Sequence, residues 1–429
     1  LIDGPEDIRR EWLDGVQTLT AESVSRIIEP VDGLQSNGGA VIITGVASAP
    51  VGVDYVELSV DNGQSWQVAS GNTRWSYSWT NPEDGDYVLL SRIIDLDGNI
   101  EIPGSGHSVT IDSTLATTSG RLSGDEHWSG EIVLTGDVTV PQDATLSIAA
   151  DTTIRFQALS DDQSAGIDSS RAELIIEGNL RAQGTATAPV TFTSSSPNPA
   201  KNDWVGIRVL SRGTISLSYA TIEYAATGID YSLSSGMGEM SVTNCLIRQL
   251  SGIGIKATLS NANTVFNGTF IGNEITATDG NGMYLYTHTS ARSELEISGN
   301  SIHHVSGNGI YLYGYNSSLV NGLIADNEIS HTATGVYQYN YLSTTSLDIT
   351  YKNNTIHDTA TGLYFYTYHN NVQVTPAIIG NHIHDNSSYG IRINKGWGSS
   401  SVVPLFYDNS IVNNSTGLHI EGGSIIPEI

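Results

Sequence analysis

Glycine recurs along the second half of the chain at a nearly fixed interval. It appears in TGIDYS at 227–232, IGIKAT at 253–258, NGMYLY at 281–286, NGIYLY at 308–313, TGVYQY at 334–339, TGLYFY at 361–366, YGIRIN at 389–394 and TGLHIE at 416–421. The spacings between Gly228, Gly254, Gly282, Gly309, Gly335, Gly362, Gly390 and Gly417 are 26, 28, 27, 26, 27, 28 and 27 residues. Such a period means that one supersecondary unit repeats, and that each copy buries its apolar side only against its neighbours. A second column runs in step: Asn244, Asn273, Asn300, Asn327, Asn354, Asn381 and Asn409, each read as followed two residues later by Leu246, Ile275, Ile302, Ile329, Ile356, Ile383 or Ile411. A further short strand precedes each asparagine, as in LEIS 295–298, LDIT 347–350 and PLFY 404–407. Each period therefore carries three alternating strands and three turns, with no helical pattern. Strands that pair with their own copies one coil on give a β-helix with three parallel sheets, and asparagine tolerates the left-handed backbone that its turns need.

Alternation assigns the faces. After each column glycine, Ile229, Ile255, Met283, Ile310, Val336, Leu363, Ile391 and Leu418 point inward, followed two residues on by Tyr231, Ala257, Leu285, Leu312, Gln338, Phe365, Ile393 and Ile420. The positions between them point out, and over four coils they are tyrosine. Tyr284, Tyr311, Tyr337 and Tyr364 form one column, Tyr286, Tyr313, Tyr339 and Tyr366 a second, and Tyr315, Tyr341 and Tyr368 a third, with His288 at its foot. With coils about 4.8 Å apart the grid is roughly 15 Å tall. Tyrosine favours strands and stacks on itself, which accounts for one ladder. Three adjacent ladders of exposed aromatic surface point to a contact site. Lys256 borders the grid below, and Arg392, Asn394, Lys395 and Trp397 border it above.

The GNxIxxxxxxGIxL phrase repeated over residues 220–429 resembles the right-handed parallel β-helix repeats of the pectate-lyase-like superfamily. Residues 119–193, beginning SGRLSGDEHWSGEIVLTGDVTV, are similar to the opening coils of secreted bacterial β-helices. The resemblance implies the fold and is nearly silent on function, because that fold hosts lyases, hydrolases, epimerases, adhesins and phage fibres. Residues 25–114 differ. VELSVDNGQSWQVA, WSYSWT and GDYVLLSRIIDLDGNIEI read as the alternating strands of a β-sandwich and resemble bacterial Ig-like modules. The expected organisation is all-β: an arm or short helix at 1–24, an Ig-like sandwich at 25–114 and a parallel β-helix at 115–429.

Several smaller constellations carry competing readings. Asp95, Asp97 and Asn99 in DLDGN are calcium candidates, because oxygen ligands at alternate positions suit that ion; the competing reading is a tight turn. His303, His357 and His384 share an outward column, with His304, His331, Asp358 and Asp385 beside it, a set suited to metal or acid–base chemistry or simply to a solvated turn. Cys245 is the lone cysteine, which excludes an intrachain disulfide, and is expected at an outward position.

The net charge of −27, from 45 acidic and only 18 basic residues, disfavours nucleic acid and anionic membranes as partners. No run of 18 apolar residues is present, so no membrane insertion is expected. The opening Leu1 reads as a processed start. The Asn/Thr/Gly-rich, lysine-poor composition fits a secreted or surface-displayed bacterial protein.

The first functional reading is a non-catalytic binder or assembly subunit, adhesin or filament-like. Its tyrosine face, with Arg392 and Trp397, would meet a polysaccharide or neighbouring copies of the chain. For assembly, the final TGLHIEGGSIIPEI lacks a covering helix, which reads either as removal of residues beyond 429 or as an end capped by a neighbouring copy. The alternative is a uronate lyase or glycoside hydrolase, in which Arg392 and Lys395 would neutralise a carboxylate and Tyr366 or Tyr364 would exchange the proton. Against it, the acidic calcium ligands of the pectate lyases and the NxD, DD, GHG and RxK set of the pectin hydrolases are not present together; RINK at 392–395 is a loose echo of the last.

Overall fold

A computed structural model describes residues 23–422, apart from 31, 37–40, 81, 113–114, 211, 343–344 and 370–371. Residues 1–22 of the arm expected at 1–24, and the last seven residues of the chain, lie outside the described residues. The chain divides into two compact units, Leu1–Leu115 and Ala116–Ile429.

The first unit is a small β-sandwich. One sheet orders Val24–Glu29, Val41–Ser48, Arg74–Trp79 and Ser70–Gly71; the other orders Leu34–Ser36, His107–Ile111, Gly85–Asp95, Val53–Ser59 and Gln67–Val68. All pairs are antiparallel except Leu34–Ser36 with His107–Ile111. Ile43, Val56, Leu58, Leu89 and Ile93 fill the space between the sheets around Trp75.

The second unit is a solenoid of three parallel sheets, with twelve, eleven and eleven strands among the described residues. The first sheet runs from Gly120–Arg121 to Thr416–Glu421, the second from Glu126–Trp128 to Leu405–Tyr407, and the third from Glu131–Leu134 to Ser410–Val412. Each strand pairs with its copy in the next coil. Met283–His288 meets Ile310–Tyr315 with Tyr284 opposite Tyr311 and Tyr286 opposite Tyr313. One continuous apolar core fills the interior from Leu122 to Val402. The inward columns are buried as far as Ile391 and Ile393, whereas Leu418 and Ile420 stay exposed, having no described coil above them.

The glycine column is a demand for space. A Cβ on Gly309 would lie 2.6 Å from the carbonyl oxygen of Gly335 and 2.6 Å from Cγ2 of Ile329, both in the next coil. Any larger residue there would push successive coils apart.

The asparagine column forms a closed internal ladder. The side-chain N–H groups of Asn273, Asn300, Asn327 and Asn354 each donate to the Oδ1 of the asparagine one coil on at 2.9 Å, and Asn381 does the same to Asn409. Each Nδ2 also donates to a main-chain carbonyl below, as Asn327 does to Ile297 at 2.9 Å. These amides are almost fully buried and satisfied, which makes the ladder a source of stability and register.

Three expectations are corrected at its foot. Asn244 is not in this ladder; with φ of 53° it belongs to the preceding left-handed column, beside Gly272, Gly299, Asp326 and Asn353. The ladder position in that coil is Cys245, which is buried rather than outward, and the following core residue is Ile247 rather than Leu246.

Candidate functional site

Strand alternation carries the eleven tyrosines to the outer face of the first sheet, where all are half-buried. Along the columns the rings stack. Centroids are 4.8 Å apart for Tyr311 and Tyr337, 4.7 Å for Tyr337 and Tyr364, and 4.7, 4.8 and 5.1 Å for the steps from Tyr286 through Tyr313 and Tyr339 to Tyr366. Tyr315, Tyr341 and Tyr368 step at 5.5 Å. Tyr284 departs from the pattern, tilted at 58° to Tyr311. Between columns the spacing is wider, 6.1 Å from Tyr311 to Tyr313 and from Tyr337 to Tyr339. His288 stacks on Tyr286 at 4.6 Å and so takes the twelfth place in the grid.

Near-parallel rings at this repeat cover one another's faces. The grid therefore presents ring edges and phenol hydroxyls to solvent rather than open aromatic faces. Among the described residues none of the eleven hydroxyls bonds to another protein group, and none is a buried atom lacking a partner. Burial, and then neighbouring phenols, push Tyr311, Tyr313 and Tyr337 far above the ordinary phenol range and Tyr339 to about 12. Tyr284, Tyr286 and Tyr366 are raised in the same way. These seven phenols are uncharged at neutral pH while still able to donate and accept hydrogen bonds.

Arg392 closes the upper end. Its guanidinium carbon lies 4.9 Å from the Tyr364 ring centroid and 5.3 Å from that of Tyr389, and its Nη2 donates to Glu421 at 3.3 Å. Asn394 donates to the same carboxylate oxygen at 3.1 Å. Trp397 is 64 % exposed and meets His369 edge-on at 6.1 Å. Gly396 follows Lys395 in the coil above, where a Cβ would sit 2.5 Å from Cδ2 of Tyr368 and 2.9 Å from the Tyr366 hydroxyl. Below the grid, Lys256 pairs with Asp230 at 2.9 Å, and Arg208 pairs with the buried Glu173 at 2.6 Å.

Tyr389, Glu421 and Gly396 were given no role from sequence. Glu421 was within reach of the repeat, since it stands one coil above Asn394. Tyr366, Arg392 and Lys395 lie together at the upper edge, but Arg392 is engaged by two rings and a carboxylate.

The other candidates have a different geometry. The Asp95 carboxylate accepts hydrogen bonds from the main-chain N–H of Asp97 at 3.0 Å and of Asn99 at 2.8 Å, and from the Asn99 side chain at 2.9 Å, and these bonds hold its pKa below the usual carboxylate range. This is a turn closed by N–H donors. In the third sheet, His357 and His384 each bond to the adjacent aspartate, Asp358 or Asp385, at 2.7 Å and stack on each other at 4.9 Å; His304 stacks on His331. No three His, Cys, Asp or Glu side chains among the described residues are grouped to hold a metal ion.

Comparison with known proteins agrees with this architecture. The family model for the right handed beta helix region matches residues 193–340 and 287–429, that for a pectate-lyase like beta helix domain matches 125–236, and that for a bacterial Ig domain matches 24–90. No curated protein matches the chain. Among solved structures, the periplasmic alginate epimerase AlgG is similar at 11% identity over 69% of this chain and 78% of its own, with a TM-score of 0.41. A family 28 exopolygalacturonase of Yersinia enterocolitica is 10% identical over 95% of this chain and 99% of its own, TM-score 0.26. Fibronectin(III)-like modules of Clostridium thermocellum CbhA are 20% identical over 22% of this chain and all of theirs, TM-score 0.20. Likeness at this level carries no chemistry across.

Proposed function

Because the chain belongs to the right-handed β-helix family, a scaffold that prescribes no single chemistry, we propose that its function lies in the tyrosine face and that this face binds polysaccharide. The protein on this reading is a non-catalytic binder that works outside the cell or at the surface of a bacterium. The observation that carries it is the grid of eleven outward tyrosines in three stacked ladders, whose hydroxyls have no hydrogen-bond partner among the described residues. A polyhydroxylated ligand offers donors and acceptors to each phenol and oxygen lone pairs to the positively polarised ring edges. Uncharged phenols on a chain of net charge −27 favour a neutral polymer over an acidic one. This weakens the lyase alternative, as does the engagement of Arg392 by Tyr364, Tyr389 and Glu421.

The test is pull-down on a panel of soluble and insoluble neutral and acidic polysaccharides, comparing the parent with the combined variant Tyr337→Ser, Tyr339→Ser, Tyr364→Ser and Tyr366→Ser. None of the four lines the core, so the circular dichroism spectrum should be retained while capture by neutral polymers is lost. Retention of binding in the variant overturns the assignment of the face. Release of unsaturated or reducing ends from any polymer, abolished by Arg392→Ala, would establish the enzyme reading instead.

A further inference from the structure

We infer that the tyrosine face takes an ordered, insoluble array of neutral polysaccharide chains rather than one soluble chain. This rests on the reading of the face as a polysaccharide site and narrows its ligand.

Three features of the grid support it. First, the face is one side of a single parallel sheet paired in register, so the tyrosines stand directly above one another from coil to coil, and the rings turn by only 16° from Tyr311 to Tyr337, 8° from Tyr337 to Tyr364 and 11° from Tyr313 to Tyr339. Second, two cavities of the solenoid among the described residues lie elsewhere, one of about 140 Å³ beside Arg171, Arg208 and Asp230 and another beside Leu210 and Thr258, and neither is lined by a grid tyrosine. Sites for single small ligands are concave, because a ligand must bury most of its surface to offset its loss of freedom. A single chain lying across one side of a sheet keeps most of its surface in water. Third, the aromatic faces that would stack on one sugar ring are already covered by other tyrosines. What remains is a two-dimensional repeat of hydroxyls and edges, stepping about 4.8 Å along the columns and about 6 Å across them. A periodic, planar, hydroxyl-bearing partner can meet many of these groups together, and a molecule that lets go meets an equivalent site beside it.

A second copy of the chain is the other periodic partner. Three coil steps by two column steps, with the rings' own extent, give a face on the order of 300 Å², or roughly 600 Å² for two copies. Stable protein interfaces bury about 1,200 Å² or more. Pairing of two grids alone falls well short of that.

The experiment compares sedimentation with microcrystalline cellulose, chitin and curdlan against calorimetric titration with cellohexaose, chitohexaose and laminarihexaose. The parent should sediment with at least one of the solids, while millimolar hexaose neither binds nor releases it. The four-serine variant should lose at least ten-fold in partition to the solid. A second variant, Tyr311→Phe, Tyr313→Phe, Tyr337→Phe and Tyr339→Phe, keeps the rings and the packing and should also lose several-fold. Equal partition by this variant overturns the role of the hydroxyl array. Binding of a soluble hexaose as tight as that of the solid overturns the inference and leaves the polysaccharide site standing. Binding to neither solid nor soluble glucan, chitin or other neutral polymer overturns both. A parent that is dimeric by light scattering, and monomeric once the four serines are introduced, overturns the inference in favour of a second copy.

Discussion

Cys245 stands directly beneath Asn273, and its main-chain N–H donates to the Asn273 Oδ1 at 2.9 Å, as each asparagine higher in the ladder does to the next. The Cys245 thiol itself donates to the Thr243 carbonyl at 3.3 Å and accepts the N–H of Ala220 at the same distance. A cysteine here continues the ladder with weaker bonds. Cys245→Asn should supply an Oδ1 to Ala220 and an Nδ2 to Asn273 and stabilise the solenoid by about 1 kcal/mol, measured as a higher denaturant midpoint with unchanged slope. Burial pushes the thiol up to about 11, so the parent should resist thiol reagents at pH 8 until it unfolds.

Removing a middle rung of the ladder should be costly. Asn327→Ala leaves the N–H groups of Asn300 and the carbonyl of Ile297 without their partner inside the core. The expected loss is roughly 3 kcal/mol, read by chemical denaturation. A loss of under 1 kcal/mol would mean that water enters and replaces the amide.

The phenols should titrate late. Burial, followed by like neighbours, raises Tyr311, Tyr313, Tyr337 and Tyr339, so the folded protein holds protons that the unfolded chain has released. Their contribution to stability is complete below the ordinary phenol pKa of 10 and is lost as pH climbs through the raised values. Absorbance titration should therefore show part of the phenolate signal appearing only together with unfolding. A single transition near pH 10 with the fold intact would contradict the stacked geometry.

The lower coils should respond to acid. Asp137 is 1 % exposed, and burial followed by the charges of Asp161 and Glu173 raises its pKa to about 6, even though the main-chain N–H groups of Ala165, Gly166 and Glu173 donate to it. A carboxyl with a raised folded pKa favours the fold below about pH 4 and loses that contribution as pH rises to 6. Asp161→Asn keeps the Oδ1 that accepts the Asp137 N–H and replaces an Oδ2 that has no partner. It should raise stability at pH 7 by on the order of 1 kcal/mol and flatten the slope between pH 4 and 6, as followed by thermal melts across that range.

The outward path of Tyr364, Tyr366 and Tyr368 was legible because alternation alone decides which side of a strand a residue leaves. How the rings then lie was not, because that depends on the spacing of coils and on the neighbours in two directions. The misplacement at Asn244 has a different origin. The ladder column and the left-handed column are adjacent and both accept asparagine, as Asn353 and Asn354 do side by side. In TNCLI only the left-handed position holds one, and the ladder residue is a cysteine that composition gives no reason to place there. The grip of Tyr389 and Glu421 on Arg392 depends on side-chain reach across coils, which register alone does not convey.

The close approach of Gly309 to the next coil has an outcome for how such a face can change size. With no room for a Cβ, the step from coil to coil is set by backbone contact, and a coil can be neither stretched nor thinned. The face can be widened or shortened only by whole turns of the chain, each inserted turn delivering a complete row of up to three phenols already in register. Reach is thus counted in integers here, and a single duplication of about 27 residues would add a fifth row without redesigning any of the four that exist.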